Sequence, residues 1–195
     1  MKSISPLSNI HSNGLFGNFE NKKEENLVKV SEIKNLLIVQ IVQFKNSQAK
    51  LDQLQIDNLL LENEALKVNS NEDSRVIWIG PNNWLFVSSK KELLKNIYDL
   101  FKESDFAITD LSHSRTIIQI EGSEVKEALK KGCPFNFNLL RQNNCLNSTF
   151  NGIALTIDMI NENPDKVRLY VLRSFGESFY HSITDSLLEF GYKCV

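Results

Sequence analysis

An α+β fold is expected for this chain, built as two successive strand-and-helix units with a mainly antiparallel sheet. Three observations predict it. Short β-branched and aromatic runs are bounded by turn residues, as at residues 75–79 and 84–87 around Gly80-Pro81-Asn82-Asn83. Stretches with apolar residues three and four apart follow them, as at Leu93, Leu94, Ile97, Tyr98 and Phe101. The pattern then recurs in part after residue 105.

Taken in order, residues 1–30 are rich in Asn, Ser, Lys and Glu and offer little to bury, so a polar N-terminal arm is expected, able to wrap a partner. Leu15 and Phe16 are an apolar pair within it; such a pair can dock on a partner, and equally can mean nothing. The globular part, residues 31–195, divides at about residue 104. Residues 33–44 read as one buried strand, and residues 47–61, with Leu51, Leu54, Ile56 and Leu59, as a helix. The hairpin around Gly80 and the helix opened by Ser89 complete the first unit. In the second, residues 106–111 and 115–120 read as strands, and Ser123 caps a short helix carrying Val125, Ala128 and Leu129. Lys130 and Lys131 suit that helix's negative end, and Gly132 with Pro134 stops it. A loop with little pattern runs through Cys145. Residues 153–160 and 167–172 form a hairpin. Ser174-Phe175-Gly176-Glu177 reads as a capping box before a helix whose stripe is Phe179, Ile183, Leu187 and Phe190.

Composition narrows the function classes. The chain has 195 residues, 42% of them hydrophobic, enough for a core. A formal net charge of -2, with basic residues scattered among acids, argues against nucleic acid and against a membrane surface. No apolar run reaches the roughly 20 residues a membrane-spanning helix needs, and residues 1–21 lack the apolar core of a secretory signal. Three cysteines without paired spacing read as reduced thiols of a cytoplasmic protein.

A self-sufficient active site is not expected. Glycine is used singly at turns, with no phosphate loop. His11, His113 and His181 have no second ligand at metal spacing, and His181 reads as a surface or packing residue. Cys133 follows Lys130 and Lys131, which can lower a thiol pKa; it is otherwise a small buried residue at a helix end. Asp110, Ser112 and His113 combine an acid, a hydroxyl and an imidazole. Neighbours on an extended chain point in alternate directions, so Asp110 and Ser112 fit turn-forming better than catalysis.

The same segments carry a family resemblance. Asp110-Leu111-Ser112-His113, followed by a strand, Gly122 and a short helix, resembles the "DVSH" region of the glycine-cleavage aminomethyltransferases. Closer is the resemblance to sarcosine oxidase gamma subunits. Ser5-Pro6-Leu7 is similar to their N-terminal signature, and Gly80-Pro81-Asn82-Asn83-Trp84-Leu85 to their "GP-x-x-WL" hairpin. Asp110 to Arg115 is similar to "D-V-S-H-x-R", and Lys131-Gly132-Cys133-Pro134 to "KGCP". Cys145 and Ser148 are similar to "C-x-x-T", and Arg173-Ser174-Phe175 to "RSF". Asn82 and Asn83 depart from the acidic residues common in that hairpin. The resemblance implies an aminomethyltransferase-like folate-binding-domain fold and a non-catalytic place in a heterotetramer with large alpha and beta chains and a small delta chain. It implies that FAD, FMN, NAD and tetrahydrofolate are held on the large subunits. It also implies that the complex oxidises sarcosine to glycine, makes hydrogen peroxide and passes the one-carbon unit to tetrahydrofolate. The motif residues Gly80, Pro81, Trp84, Asp110, Ser112, His113, Arg115, Gly132, Cys133, Pro134, Arg173, Ser174 and Phe175 are then structural or interface positions, with Arg115 and Arg173 suited to fixed pairing and Trp78 and Trp84 to either a core or a partner surface. A free-standing folate-binding protein of the same superfamily is the alternative. A branch of it shares the "KGC" start but continues with an aromatic residue and "GQE", where Pro134-Phe135-Asn136-Phe137 stands here.

Overall fold

The computed structural model describes residues 4–20 and 22–195. In chain order the strands are β1 (Gly14–Phe16), β2 (Val28–Ile33), β3 (Leu37–Gln43), β4 (Gln55–Ile56), β5 (Leu59–Leu60), β6 (Val68–Ser70) and β7 (Ser74–Gly80). They continue as β8 (Asn83–Ser88), β9 (Phe106–Asp110), β10 (Arg115–Glu121), β11 (Cys145–Phe150), β12 (Ile153–Asn161), β13 (Lys166–Leu172) and β14 (Tyr192–Cys194). The helices are α1 (Leu93–Leu100), α2 (Val125–Lys130) and α3 (Gly176–Leu187).

The α+β class with mainly antiparallel sheets is as expected, and the two units are nested in sequence where a succession was expected. One unit comprises the described residues of Met1–Lys34 with Ser114–Gln142 and Leu146–Val195. Its seven-stranded sheet runs β1-β14-β2-β10-β13-β12-β11. Only β14 and β2 pair in parallel among the registers described. Alternation on β10 and β13 sends Ile118, Ile120, Val167, Leu169 and Val171 to one face, where Phe179, Ile183 and Leu187 of α3 bury their stripe. Each such side chain contributes roughly 1.5–3 kcal/mol on burial. Phe150 meets Phe179 edge to face at 5.9 Å between centroids.

The other unit comprises Asn35–His113 and Asn143–Cys145. Its five-stranded sheet runs β6-β7-β8-β3-β9, accompanied by the small β4-β5 hairpin. Val39, Ile41, Trp84 and Phe86 face a core closed by Ile97 and Phe101 of α1 and its C-cap. The boundary expected near residue 104 therefore lies elsewhere. β9 pairs with β3 and β10 pairs with β2 and β13, so the two consecutive strands belong to different sheets.

Several local expectations are corrected. Residues 47–61 are not a helix: Leu51–Gln53 is a single 3-10 turn, and β4 and β5 form a hairpin about Asp57 and Asn58. Both turn residues have positive φ, 50° and 64°, the left-handed geometry of a tight hairpin turn. The single strand expected over residues 33–44 is two, broken at Asn35 with φ 62°. The capping box at Ser174 does not form. Arg173–Phe175 is a 3-10 turn and the N-cap of α3 is Phe175, with no side-chain cap. Ser123 likewise does not cap α2, whose N-cap is Glu124.

The N-terminal segment is not a detached arm. Leu7 is fully buried in the core of its own unit, and its N–H donates to Ser5 Oγ at 3.0 Å. β1 pairs with β14, and Phe16 stacks on Tyr192 at 5.3 Å. The Leu15–Phe16 pair thus packs within the chain, with Leu15 still partly exposed.

Candidate functional site

The motif residues form four clusters, two in the nested unit and two in the unit that surrounds it in sequence, the latter at opposite ends of α3. The first is the β7–β8 hairpin. Gly80 faces Asn83 across a bulge, and Asn82 takes a positive φ of 55°, which Asn tolerates. Asn82 and Asn63 exchange two hydrogen bonds, at 2.8 and 3.1 Å, so Asn in place of an acid has a structural use here. Pro81 is exposed at the tip. Trp84 is fully buried and donates Nε1–H to the Glu62 carbonyl at 2.7 Å. Trp78 is its register partner on β7 and is only partly buried. Its Nε1 is buried with no hydrogen-bond partner among the described residues. Cys145 Sγ lies 3.1 Å from the Trp78 carbonyl, which ties the "C-x-x-T"-like start to this hairpin.

The second cluster follows β9. Asp110 Oδ1 accepts Ser112 N–H at 2.9 Å and Ser112 Oγ–H at 2.6 Å, while Ser112 Oγ accepts Ile38 N–H at 3.0 Å. The hydroxyl is thereby committed to closing the chain onto β3. His113 is exposed and has no hydrogen bond to Ser112 among the described residues. Acid, hydroxyl and imidazole are not arranged for nucleophilic catalysis, which needs a nucleophile–base contact.

The third cluster is the segment of residues 131–134 with Ser148, and the fourth is the Arg115 and 173–175 pair of motifs. Cys133 is 4% exposed, and its Sγ donates to Ser148 Oγ at 3.2 Å. Burial pushes the Cys133 thiol up, with the Ser148 contact opposing this. The neighbouring cations do not activate it. Lys130 pairs with Glu127, and Lys131 with Glu189 and the Ser186 carbonyl. Gly132 is required by packing: a Cβ there would lie 2.8 Å from the Phe150 ring and 2.8 Å from Asn151 Oδ1. Pro134 is exposed beyond it.

Ser114, Arg115 and the 172–175 segment sit at one end of the β10–β13 ladder, where Arg115 is the register partner of Leu172. The Arg173 N–H donates to the Ser114 carbonyl at 2.9 Å, and its guanidinium donates to the Ile4 carbonyl. Ser174 and Phe175 are exposed. Gly176 packs on Thr116, whose buried Oγ1 has no partner among the described residues.

Sequence reasoning missed the residues that hold these motifs. Glu32 accepts Ser5 Oγ–H at 2.6 and 2.5 Å and pairs with Lys34 at 3.1 Å. His11 Nδ1 meets Tyr180 OH at 2.9 Å, and Tyr180 OH meets Cys194 Sγ at 3.2 Å. Apart from the Glu32–Lys34 pair, these contacts join residues 14 or more apart in sequence, and no local pattern marks them. Among the described residues no group of three or more His, Cys, Asp or Glu side chains could hold a metal ion. No helix among them is long and apolar enough to cross a membrane.

No family model matches the sequence. The architecture is of the aminomethyltransferase-like class. The glycine cleavage system aminomethyltransferase T of Bartonella henselae matches 87% of this chain over 48% of its own, with TM-score 0.57 and 11% identity. Within that class, the heterotetrameric sarcosine oxidase of Corynebacterium sp. U-96, solved with pyrrole 2-carboxylate, contains a chain that matches far more fully. It covers 96% of this chain and 95% of its own, with TM-score 0.81 and 19% identity. In sequence, the sarcosine oxidase subunit gamma of Corynebacterium sp. (strain U-96) is 25% identical over 118 residues, which is 59% of this chain and 57% of that relative. The sequence match thus spans little more than half of the relative's length. In fold and in distant sequence relationship, this chain matches that gamma subunit.

Proposed function

We propose that this chain is a non-catalytic, gamma-type subunit of a heterotetrameric amine-oxidising complex whose substrate is sarcosine. The observation that carries the reading is the near end-to-end fold match to a chain of the Corynebacterium sarcosine oxidase, joined to the sequence match with its gamma subunit. The partners are large alpha and beta chains and a small delta chain. In the reaction, sarcosine, dioxygen and tetrahydrofolate give glycine, hydrogen peroxide and methylenetetrahydrofolate. A methyl C–H electron pair goes to dioxygen as the C–N bond becomes C=N, two protons complete the peroxide, and the one-carbon unit then passes to the folate nitrogens as the C–N bond breaks to release glycine. FAD, FMN, NAD and tetrahydrofolate belong to the large chains in this reading, and this chain contributes fold and contact surface. The inert setting of Cys133 and the structural hydrogen bonding of Asp110 and Ser112 support a non-catalytic place. The three buried free thiols support a reducing, cytoplasmic setting.

The test is co-expression of the tagged chain with its genomic neighbours, followed by affinity capture and an absorbance spectrum. A flavin-coloured complex that consumes sarcosine and forms hydrogen peroxide is expected. A colourless single chain that binds reduced folate tightly would instead establish a free-standing folate-binding protein.

A further inference from the structure

Arg115 carries a guanidinium with no carboxylate beside it among the described residues. It opens β10 and is half-buried. Its Nη1 reaches only the carbonyl and hydroxyl of Ser114, at 3.4 and 3.3 Å. Burial lowers its pKa, as befits a cation drawn from water without a counter-charge. A charge in that position is costly until an anion meets it. The Ser114 carbonyl also accepts Arg173 N–H at 2.9 Å, so the Arg115 head lies beside the 172–175 segment. Arg173 has no ion pair among the described residues either; its guanidinium holds the Ile4 carbonyl.

Three large apolar side chains on the segments that carry or touch these two cations are exposed to water. Leu172 is 44% exposed, Phe175 48% and Ile4 73%. Leu172 is the cross-strand partner of Arg115, so the two side chains leave the sheet on the same face. Single exposed apolar residues are ordinary on any surface. Here Leu172 faces Arg115 in register, Phe175 shares a single turn with Arg173, and Ile4 is held by Arg173 through its carbonyl. Exposed apolar residues thus accompany two guanidinium groups that have no acidic partner among the described residues, the combination of arginine and aromatic residues enriched at protein contacts.

We infer that Ile4, Arg115, Leu172, Arg173 and Phe175 form the docking surface for a partner chain that presents an Asp or Glu carboxylate flanked by apolar side chains. Charge complementarity selects the carboxylate, since the planar guanidinium fork binds it in a bidentate manner. The apolar side chains select a protein face over a nucleic acid, in keeping with the chain's net charge of -2. The inference rests on the subunit reading above, with one of the large chains as the occupant.

Arginine-selective labelling with phenylglyoxal, mapped by mass spectrometry, tests it on the full chain alone and in the co-expressed complex. Arg115 and Arg173 are expected to label in the free chain and to be protected in the complex. Arg115→Ala and Leu172→Ser are each expected to weaken capture of the large chain, Arg115→Ala by about 30-fold or more, the scale for truncating one member of a buried charge pair. Arg115→Lys, which keeps the charge and loses the fork, is expected to fall between; unchanged thermal melting separates lost docking from lost folding. Equal labelling in both forms, with variants captured like the unmodified chain, overturns the surface and leaves the subunit reading standing. Failure of any large chain to assemble overturns both. Protection of the free chain by added glutarate, or by self-association of the free chain, overturns the assignment to a large-chain partner.

Discussion

The thiol of Cys133 donates to the hydroxyl of Ser148 across 3.2 Å, joining the end of α2 to β11. Two short motifs that are 15 residues apart thereby become one packing contact. Burial disfavours the thiolate, the form that reacts. The native chain is expected to react with a disulfide reagent at Cys133 at least about 100-fold more slowly than the urea-unfolded chain, and, on the proposed subunit reading, Cys133→Ala is expected to leave the activity of the assembled complex unchanged. Thiol release followed at 412 nm checks the first expectation, and a peroxide assay the second. A fast-reacting Cys133 whose loss abolishes activity would reinstate a nucleophile.

Gly176 begins α3 directly against β10. A Cβ at that position would lie 2.5 Å from Thr116 Oγ1. Gly176→Ala is expected to destabilise the chain by about 1–3 kcal/mol through overpacking. Thr116→Ala added to it is expected to recover part of that loss, because it removes the clashing atoms. Thr116→Val alone, which replaces a buried hydroxyl lacking a partner, is expected to be near neutral or stabilising. Urea titration of the unmodified chain, the two single alanine variants, their double variant and Thr116→Val measures all three effects. Strict additivity of the two alanine substitutions would remove the proposed contact.

The two tryptophans of the β7–β8 hairpin are expected to differ. Trp84→Phe removes the Nε1–H bond to the Glu62 carbonyl and leaves a void in a fully buried site, at a cost of about 1–3 kcal/mol. Trp78→Phe is expected to cost less, because Trp78 is partly exposed and its Nε1 has no partner among the described residues to lose. Denaturant melts of the two variants, followed by the remaining tryptophan's fluorescence, order them. The reverse order would make Trp78 the anchor of the hairpin.

Asp57, at the β4–β5 turn, links that hairpin to the sheet. It accepts Ser74 Oγ–H at 2.7 Å and pairs with Lys90 at 2.9 Å, while Lys90 also meets Asp73 at 3.0 Å. The Ser74 hydroxyl first and Lys90 second hold the Asp57 carboxyl below its ordinary value of 3.8. A depressed folded pKa means the contribution is complete above the unfolded value and is lost as the pH falls through the folded value. Stability is therefore expected to fall below about pH 4, with a shallower fall in Asp57→Asn, which keeps a residue tolerant of positive φ. Thermal melts from pH 7 downward check this. Parallel curves for the two proteins would assign the acid sensitivity to other carboxylates.

The long hairpins were legible because their pattern is local: residues 75–87 and 153–172 alternate or run β-branched on both sides of a turn, and β7–β8 and β12–β13 follow. The last helix was legible from the same kind of evidence, since Phe179, Ile183 and Leu187 recur at helical spacing and all three are buried. Residues 47–61 misled because Leu51, Leu54 and Leu59 mimic that spacing. Asp57 and Asn58 turn the chain back instead, and Leu59 is buried in the same core as α1. β1, β6, β11 and β14 were missed. Three of them are three residues long, too short to show a period, and become strands only because a neighbouring strand takes their hydrogen bonds.

By itself the sequence determined the α+β class, the turn positions, the final amphipathic helix and a set of short motifs, because each depends on backbone sterics and on spacing within a few residues. The tertiary structure alone decided that β9 and β10 part into different sheets, and that Leu7 is core where an arm was expected. It also decided that Cys133 meets Ser148, and that Arg115 and Arg173 stand beside exposed apolar side chains without a counter-charge among the described residues. Those facts depend on which distant segments the hydrophobic cores bring together, and core packing is a property of the whole chain that no local window contains.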